Sequence, residues 1–406
     1  MTSVMQGMKV IDCTQWIVGP RAGAFLAYLG ADVIHVERRG VGDGIRGLVR
    51  IMGRDTSLQG VNLGFEDCNI GKRDIALDLQ KQKGKEILYK LVETADVFLT
   101  NLRPGAVSKL GLDYATLSQL NPRLIYTSSS AFGLKGPDRD AGAWDGVAQA
   151  RSGLMWYNRD QKGRPHVVPG SMADQVTGVI IALGILSALL ARERHGMGQE
   201  VTTSMLAALI YLFRGGYMGA SLRGAREERK PERELGKRAG NPIYNTYRCK
   251  DGKWMLLGLQ DSETYWPAFC KAAGIVELEK DPRFMDMFKR EENNVELISI
   301  LEKVFATKTL DEWSKICKEN DFNFSPCQTF REVLTDVHAL ANEYIVEVDH
   351  PVFGKVKSAG HPFHLSKSPG SLANAAPQYG QHTEEVILEL GYTWDDIADL
   401  RNEEVI

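Results

Sequence analysis

Over its first 130 residues the chain alternates two hydrophobic periods. Lys9–Cys13 (KVIDC), Asp32–Glu37 (DVIHVE), Ala95–Thr100 (ADVFLT) and Arg123–Ser128 (RLIYTS) are apolar runs of strand length. Between them, Gly19–Gly30 (GPRAGAFLAYLG) reads as a helix opened by a Gly-Pro turn. Lys81–Glu93 sets Ile87, Leu88 and Leu91 on one helical face. Strands alternating with helices predict an α/β fold with a doubly wound, largely parallel sheet. Residues 174–215 are very apolar and predict a central helical stretch packed on that sheet.

The pattern then breaks. Arg223–Arg238 (RGAREERKPERELGKR) is dense in both charges and nearly free of large apolar residues, as in a solvated linker; a regulatory basic patch is the alternative. Tyr244–Leu259 reads as a hairpin turning at Asp251-Gly252. Amphipathic helices are expected at Tyr265–Ala273, Asn293–Phe305 and Leu310–Glu319, making a second, smaller α+β unit. The tail from Tyr379 predicts two short helices, the second capped near Thr393.

Composition narrows the possible functions. Forty-nine basic against 52 acidic residues give a formal charge of −3, so bulk charge makes no case for nucleic acid or an anionic membrane. The six cysteines form no CxxC pair, which argues against a disulfide framework or zinc knuckle and for a reducing, cytoplasmic setting. The N-terminal residues lack the basic and apolar regions of a signal peptide. The most apolar run, Val176–Ala191, falls short of the roughly 20 residues that span a bilayer, and predicts a buried core helix. The expectation is a soluble cytoplasmic protein.

Common catalytic motifs are missing. Glu37 ends the second strand where a ribose-binding acid would stand, but the first turn (TQWIVGPRAG) has no G-x-G-x-x-G, and Pro20 takes the place of an amide that would approach a pyrophosphate. The eight histidines make no HExxH, and His361 with His364 form an isolated pair, so no metal site is expected. Ser128–Ser130 has no G-x-S-x-G elbow. Basic residues do gather after the early strands: Arg38, Arg39, Arg46, Lys72, Arg73, Arg103 and Lys109. At the carboxyl ends of parallel strands they suit a polyphosphorylated ligand, although each alone reads as a surface charge. Asp174 directly precedes the long apolar helix. It reads either as a plain N-cap or as a carboxylate kept ionised by the helix dipole and available as a nucleophile.

The chain resembles the family III CoA-transferases, the group that includes formyl-CoA and carnitine CoA-transferases. The resemblance runs from Met8 to Ile406. Its strongest stretches are VIDCTQWIVGPRAGAFLAYLGADVIHVERRGVGDGIR, KRDIALDL, ADVFLTNLRPGAVSKLGLDY, LNPRLIYTSSSAFGLKGP and PHVVPGSMADQVTGVIIALGILSALLARERHGMGQEVTTSML. It implies a Rossmann-like large domain from 1–222 and 331–406, a linker and small domain over 223–330, and two chains interlocked as a dimer, homomeric or with a related chain. It implies transfer of CoA from an acyl-CoA donor to a carboxylic acid acceptor, with no metal or redox cofactor. Asp174 falls at the family's catalytic aspartate. CoA contacts carry over to Ile17, Val18, Arg38, Leu77 to Leu79, Asn101, Leu102, Arg103, Lys109 and Trp144.

Three positions and one loop depart from relatives. Lys109 stands where some have arginine, and Trp144 where many have tyrosine. Ile17 replaces a glutamine of oxalate-using members, whose glycine-rich loop is only GKRAGN here (Gly236–Asn241). These differences argue against oxalate and for a larger or more apolar acyl group. The same superfamily holds α-methylacyl-CoA racemases, which pair an aspartate with a histidine in an AGHD-like segment. Here that segment is AGAWDG, with Ala143 in the histidine's place, so one face of the α-carbon would lack its acid/base partner.

Overall fold

The computed structural model describes residues 2–51, 53–160, 162–223, 239–370 and 375–406. The charged linker and the start of the GKRAGN loop lie outside these residues. The chain divides into two compact units, one of Met1–Asn158, Val167–Leu222 and Leu340–Ile406, the other of Arg159–His166 and Arg223–Ala339. The return to the first unit thus falls at Leu340 rather than at 331, and Arg159–His166 groups with the second unit.

The first unit is built on a six-stranded sheet: β1 (Lys9–Cys13), β2 (Asp32–Arg38), β3 (Arg73–Leu77), β4 (Val97–Thr100), β5 (Ile125–Ser130) and β6 (Gln199–Ser204). Its spatial order is β6-β5-β4-β1-β2-β3, and every pairing is parallel. The strand order reverses between β1 and β4, and a crevice at the carboxyl ends of such a pair is where doubly wound sheets bind ligands. Alternate residues serve opposite faces. Val10, Val33, Val97 and Leu99 join one core with α1 (Val18–Tyr28) and the long apolar helix. Ile11, Ile34, Phe98 and Tyr126 join another with α2 (Gln82–Glu93) and the C-terminal helices.

Two strands of this sheet escape the sequence pattern. β3 hides in RDIAL, where acids flank only three apolar residues. β6 (QEVTTS) interrupts the stretch 174–215 expected to be helical; it is an edge strand with a largely exposed, β-branched sequence that carries no apolar run. The helix before it spans Met172–His195, 24 residues, long and apolar enough by itself to cross a bilayer. The shorter run read from sequence therefore understated it. Its location gives it another task, since Ile181, Ala182, Ile185 and Leu189 pack with α1 on one face of the sheet.

The second unit is an α+β body. A hairpin of β7 (Tyr244–Arg248) and β8 (Trp254–Gly258) is joined by β9 (Phe324–Pro326). Tyr247, Trp266, Phe305 and Trp313 fill a core of its own. The three amphipathic helices stand at Ser262–Ala273, Asn294–Phe305 and Leu310–Glu319. In the first unit the tail forms helices Thr383–Glu389 and Trp394–Asn402, the latter opened by a capping box at Thr393.

Candidate active site

A cleft of about 260 Å³ opens at the carboxyl ends of β1, β2 and β3. Thr14, Gln15, Arg38, Leu77, Leu79 and Leu102 are among its lining residues. Asn101, just beyond β4, clamps the turn after β1 from both sides: its carboxamide oxygen accepts from Gln15 N at 2.9 Å and its nitrogen donates to Gln15 O at 2.7 Å. The turn after β1 is therefore fastened at the switch point itself.

The basic residues divide sharply by partner. Lys72 is buried and spends its three N–H groups on Asp12 (2.7 Å), the Pro20 carbonyl (2.8 Å) and Asn69 (2.8 Å). Arg73 pairs with Asp32, Glu385 and Glu389, and Arg46 with Glu37. Arg39 donates to the Ile406 carbonyl. These four, grouped by sequence with ligand-binding cations, hold the fold instead. Arg38, Arg103 and Lys109 have no ion-pair partner among the described residues, which leaves three cations free for an anion.

Asp12, itself fully buried in β1, needs the Lys72 ammonium. Burial alone would raise its pKa, but Lys72 and neighbouring His35 outweigh burial and hold the carboxyl far below the usual range. Nearby, burial and the Glu37 carboxylate push the Asp74 acid strongly upward. His35, Glu37 and Asp74 bring ligand-type atoms within 4.8 Å of one another. The Arg46 guanidinium, paired with Glu37 and 3.8 Å from Asp74, already supplies a positive charge there.

Asp174 stands in the first turn of the Met172–His195 helix. Ser171 at the N-cap adopts a left-handed conformation (φ 52°) and makes no side-chain cap. The cap comes from another helix, Asp145–Arg151: Asp145 Oδ1 accepts from Ala173 N at 2.6 Å and from Asp174 N at 3.3 Å. Its other oxygen accepts from Gln149 Nε2 at 2.6 Å, and Gln149 exchanges two hydrogen bonds with the backbone of Val168. Among the described residues nothing hydrogen-bonds the Asp174 carboxylate, which burial and then the Asp145 charge raise to about 7. A carboxylate so placed is weakly solvated, more basic than usual, and free to attack.

Helix packing sets where it points. At Gly178, one turn on, an added Cβ would lie 2.6 Å from Arg21 Cγ and 3.2 Å from the Val18 carbonyl, so only glycine admits α1 this closely. Val18, the first residue of α1, packs with Ala143, Ala148, Met172 and Ala173 in one small core. Ile17 is the N-cap of α1 and Trp144 the N-cap of the Asp145 helix. Arg103 lays its guanidinium along Gly142, where a Cβ would fall 2.4 Å from Nη2.

The structure thus brings Ile17, Val18, Arg103, Trp144 and Asp174 around the AGAWDG segment, and Arg38, Leu77, Leu79 and Leu102 around the cleft, with Asn101 tying the turn between them. Lys109 lies in the last turn of helix Pro104–Leu110, whose final residue lines the cleft. Sequence reasoning missed Asp145, because an acid at the start of a helix reads as that helix's own dipole partner. The αL residue Ser171, which leaves the next helix uncapped, has no signature in sequence.

Residues 5–383 match the profile of CoA-transferase family III. The chain is 31% identical to a cinnamoyl-CoA:phenyllactate CoA-transferase of Clostridium sporogenes over 410 residues, covering 100% of this chain and 98% of that one. It is 32% identical to a formyl-CoA:oxalate CoA-transferase of Bradyrhizobium diazoefficiens, covering 98% and 96%. A crystal structure of a CaiB/BaiF family protein from Brucella suis superposes with a TM-score of 0.83 at 27% identity, covering 96% of this chain and 100% of that one.

Proposed function

The chain belongs to CoA-transferase family III and is an enzyme of that class, and on that premise we propose that Asp174 carries the group transfer covalently. Its carboxylate attacks the thioester carbonyl of the donor acyl-CoA, the C–S bond breaks, and an aspartyl–acyl anhydride and CoA thiolate result. The thiolate then attacks the aspartyl carbonyl, expelling the donor's carboxylate and leaving an aspartyl-CoA thioester. The acceptor carboxylate attacks that thioester, releasing thiolate and forming a second anhydride. Thiolate attack on the acceptor's acyl carbon yields the new acyl-CoA and returns Asp174 as carboxylate. Each leaving group is a carboxylate or a thiolate, so no general acid is needed, and one thioester's energy passes to the next.

The observation that carries this reading is the Asp174 carboxylate, buried and without a hydrogen-bond partner among the described residues, at a helix start that Asp145 caps from outside. Arg38, Arg103 and Lys109, with Asn101 fixing the turn, are the residues to hold the CoA phosphates and pantetheine; Leu77, Leu79 and Leu102 give that site its apolar side. The relatives' acceptors, phenyllactate and oxalate, differ widely at nearly equal identity, so likeness alone selects no acyl group.

A pH profile tests the assignment. The nucleophile must be ionised, and its pKa stands near 7, so kcat/KM for an acyl-CoA donor rises about tenfold per pH unit below pH 7 and levels above it. Asp145→Asn keeps an acceptor for Ala173 N but removes the neighbouring charge. It moves the acid limb to lower pH and costs on the order of tenfold in turnover through looser positioning. A limb near pH 4 in the parent, or one that Asp145→Asn leaves in place, would sink the assignment.

A further inference from the structure

Resting on the transferase reading above, we infer that Trp16 and Trp144 form an aromatic wall beside Asp174 that selects donors and acceptors with an aryl or similarly bulky apolar acyl group. The two indoles meet edge to face, centroids 4.6 Å apart at 87°. Trp144 is 62% exposed, and its neighbour Asp145 is hydrogen-bonded to the backbone of Asp174. The wall therefore stands within one residue of the brace that positions the nucleophile.

Trp16 is held there against its backbone preference. Its φ is 69°, a left-handed conformation that costs a bulky residue roughly 1–3 kcal/mol. Three restraints keep it. Both oxygens of buried Asp43 accept from Trp16 N at 3.0 Å, Asn101 clamps Gln15 on either side of its peptide unit, and Gly44 lies flush under the ring. A Cβ on Gly44 would come 2.6 Å from Trp16 Cζ2. A tryptophan that only filled core space would be enclosed; this one is strained, braced and only partly buried, against an exposed tryptophan. Strain maintained by so many partners is characteristic of a binding wall.

The wall's own chemistry names its ligand. Next to the two rings come Ile17, Val18 and Ala143, all apolar, so the surface rewards buried aryl or branched hydrocarbon and offers a short dicarboxylate no side-chain hydrogen bond beyond the two indole N–H groups. A ring of phenyl size against two indoles discriminates by hydrophobic area and edge-to-face contact.

The test compares 3-phenylpropionyl-CoA with acetyl-CoA in the presence of hydroxylamine, following the rate at which Asp174 becomes its hydroxamate. The parent enzyme labels at least about tenfold faster with the phenylpropionyl donor at subsaturating concentration. Trp16→Leu and, separately, Trp144→Leu bring that ratio close to one, chiefly through a higher apparent KM for the aryl donor, while circular dichroism confirms that each variant is folded. Equal labelling by the two donors, or a ratio that neither variant moves, overturns the aromatic wall and leaves the transferase reading standing. Labelling by neither donor overturns both.

Discussion

Asp174→Asn lowers acyl transfer by at least about 10⁴-fold, the scale on which removal of a covalent nucleophile is felt. CoA-ester binding survives, because Arg38, Arg103 and Lys109 are untouched. The same variant is more resistant to heat than its parent at pH 8. The sign follows from linkage. In the folded protein the Asp174 pKa is raised to about 7 from the ordinary 3.8. Between those values the folded state binds the proton that the unfolded chain gives up, so the parent loses stability as pH rises through that window. Asparagine carries no charge to desolvate and escapes the loss. Steady-state assays with thermal melts at pH 5 and pH 8 check both halves. A variant that keeps near-normal turnover would remove Asp174 from the chemistry; one that is inactive but less stable at pH 8 would leave the loss attributable to misfolding.

Lys72→Met destabilises the first unit by about 3–5 kcal/mol, the cost of leaving a buried carboxylate without its counter-charge. Melting temperature falls by on the order of 10 °C for a unit of this size. Here too pH separates the cause. Asp12 in the parent is held below its unfolded pKa, so it contributes stability above about pH 4 and loses that contribution only as pH falls through its depressed value. Without Lys72 burial prevails, the Asp12 pKa goes up, and stability declines with rising pH. The variant's deficit is therefore larger at pH 8 than at pH 5. Because Lys72 also holds the Pro20 carbonyl at the first turn of α1, the loss extends to donor binding. A melt within about 2 °C of the parent at pH 8 would contradict the structural role.

Lys72 also illustrates what sequence conveys and what it omits. A lysine between a glycine and the start of a strand reads as a surface charge, and only the tertiary fold puts it under α1. A signal was present all the same: Asp12 lies inside the apolar run KVIDC, and a carboxylate in a buried strand requires a cation from elsewhere in the chain. Hydrophobic period was enough for four of the six sheet strands, for α1 and for the hairpin with its following helices, since their apolar faces are continuous. It failed at β3 and β6, where three apolar residues between acids and an exposed edge strand leave no period to detect.

The site was legible to a different degree. Asp174 and the cations Arg38, Arg103 and Lys109 were legible from residue type and position and again from the ordered resemblance along the chain, and the structure adds that among the described residues these three cations lack ion-pair partners while four others named beside them are engaged. The surroundings of Trp16 were expected to contribute to the acyl pocket, but its strained backbone and the role of Asp145 were beyond reach. Capping of one helix by an acid from another, and a positive φ at a tryptophan, depend on approaches between segments far apart in sequence.

The most direct test of the central claim is chemical trapping. The full-length enzyme is incubated with a panel of acyl-CoAs, quenched with hydroxylamine, digested, and mapped by mass spectrometry. A hydroxamate on Asp174, dependent on the acyl-CoA and missing in Asp174→Asn, is the predicted result. Turnover of a donor with Asp174 unmodified, or with the label on another carboxylate, would contradict the covalent role assigned to this residue.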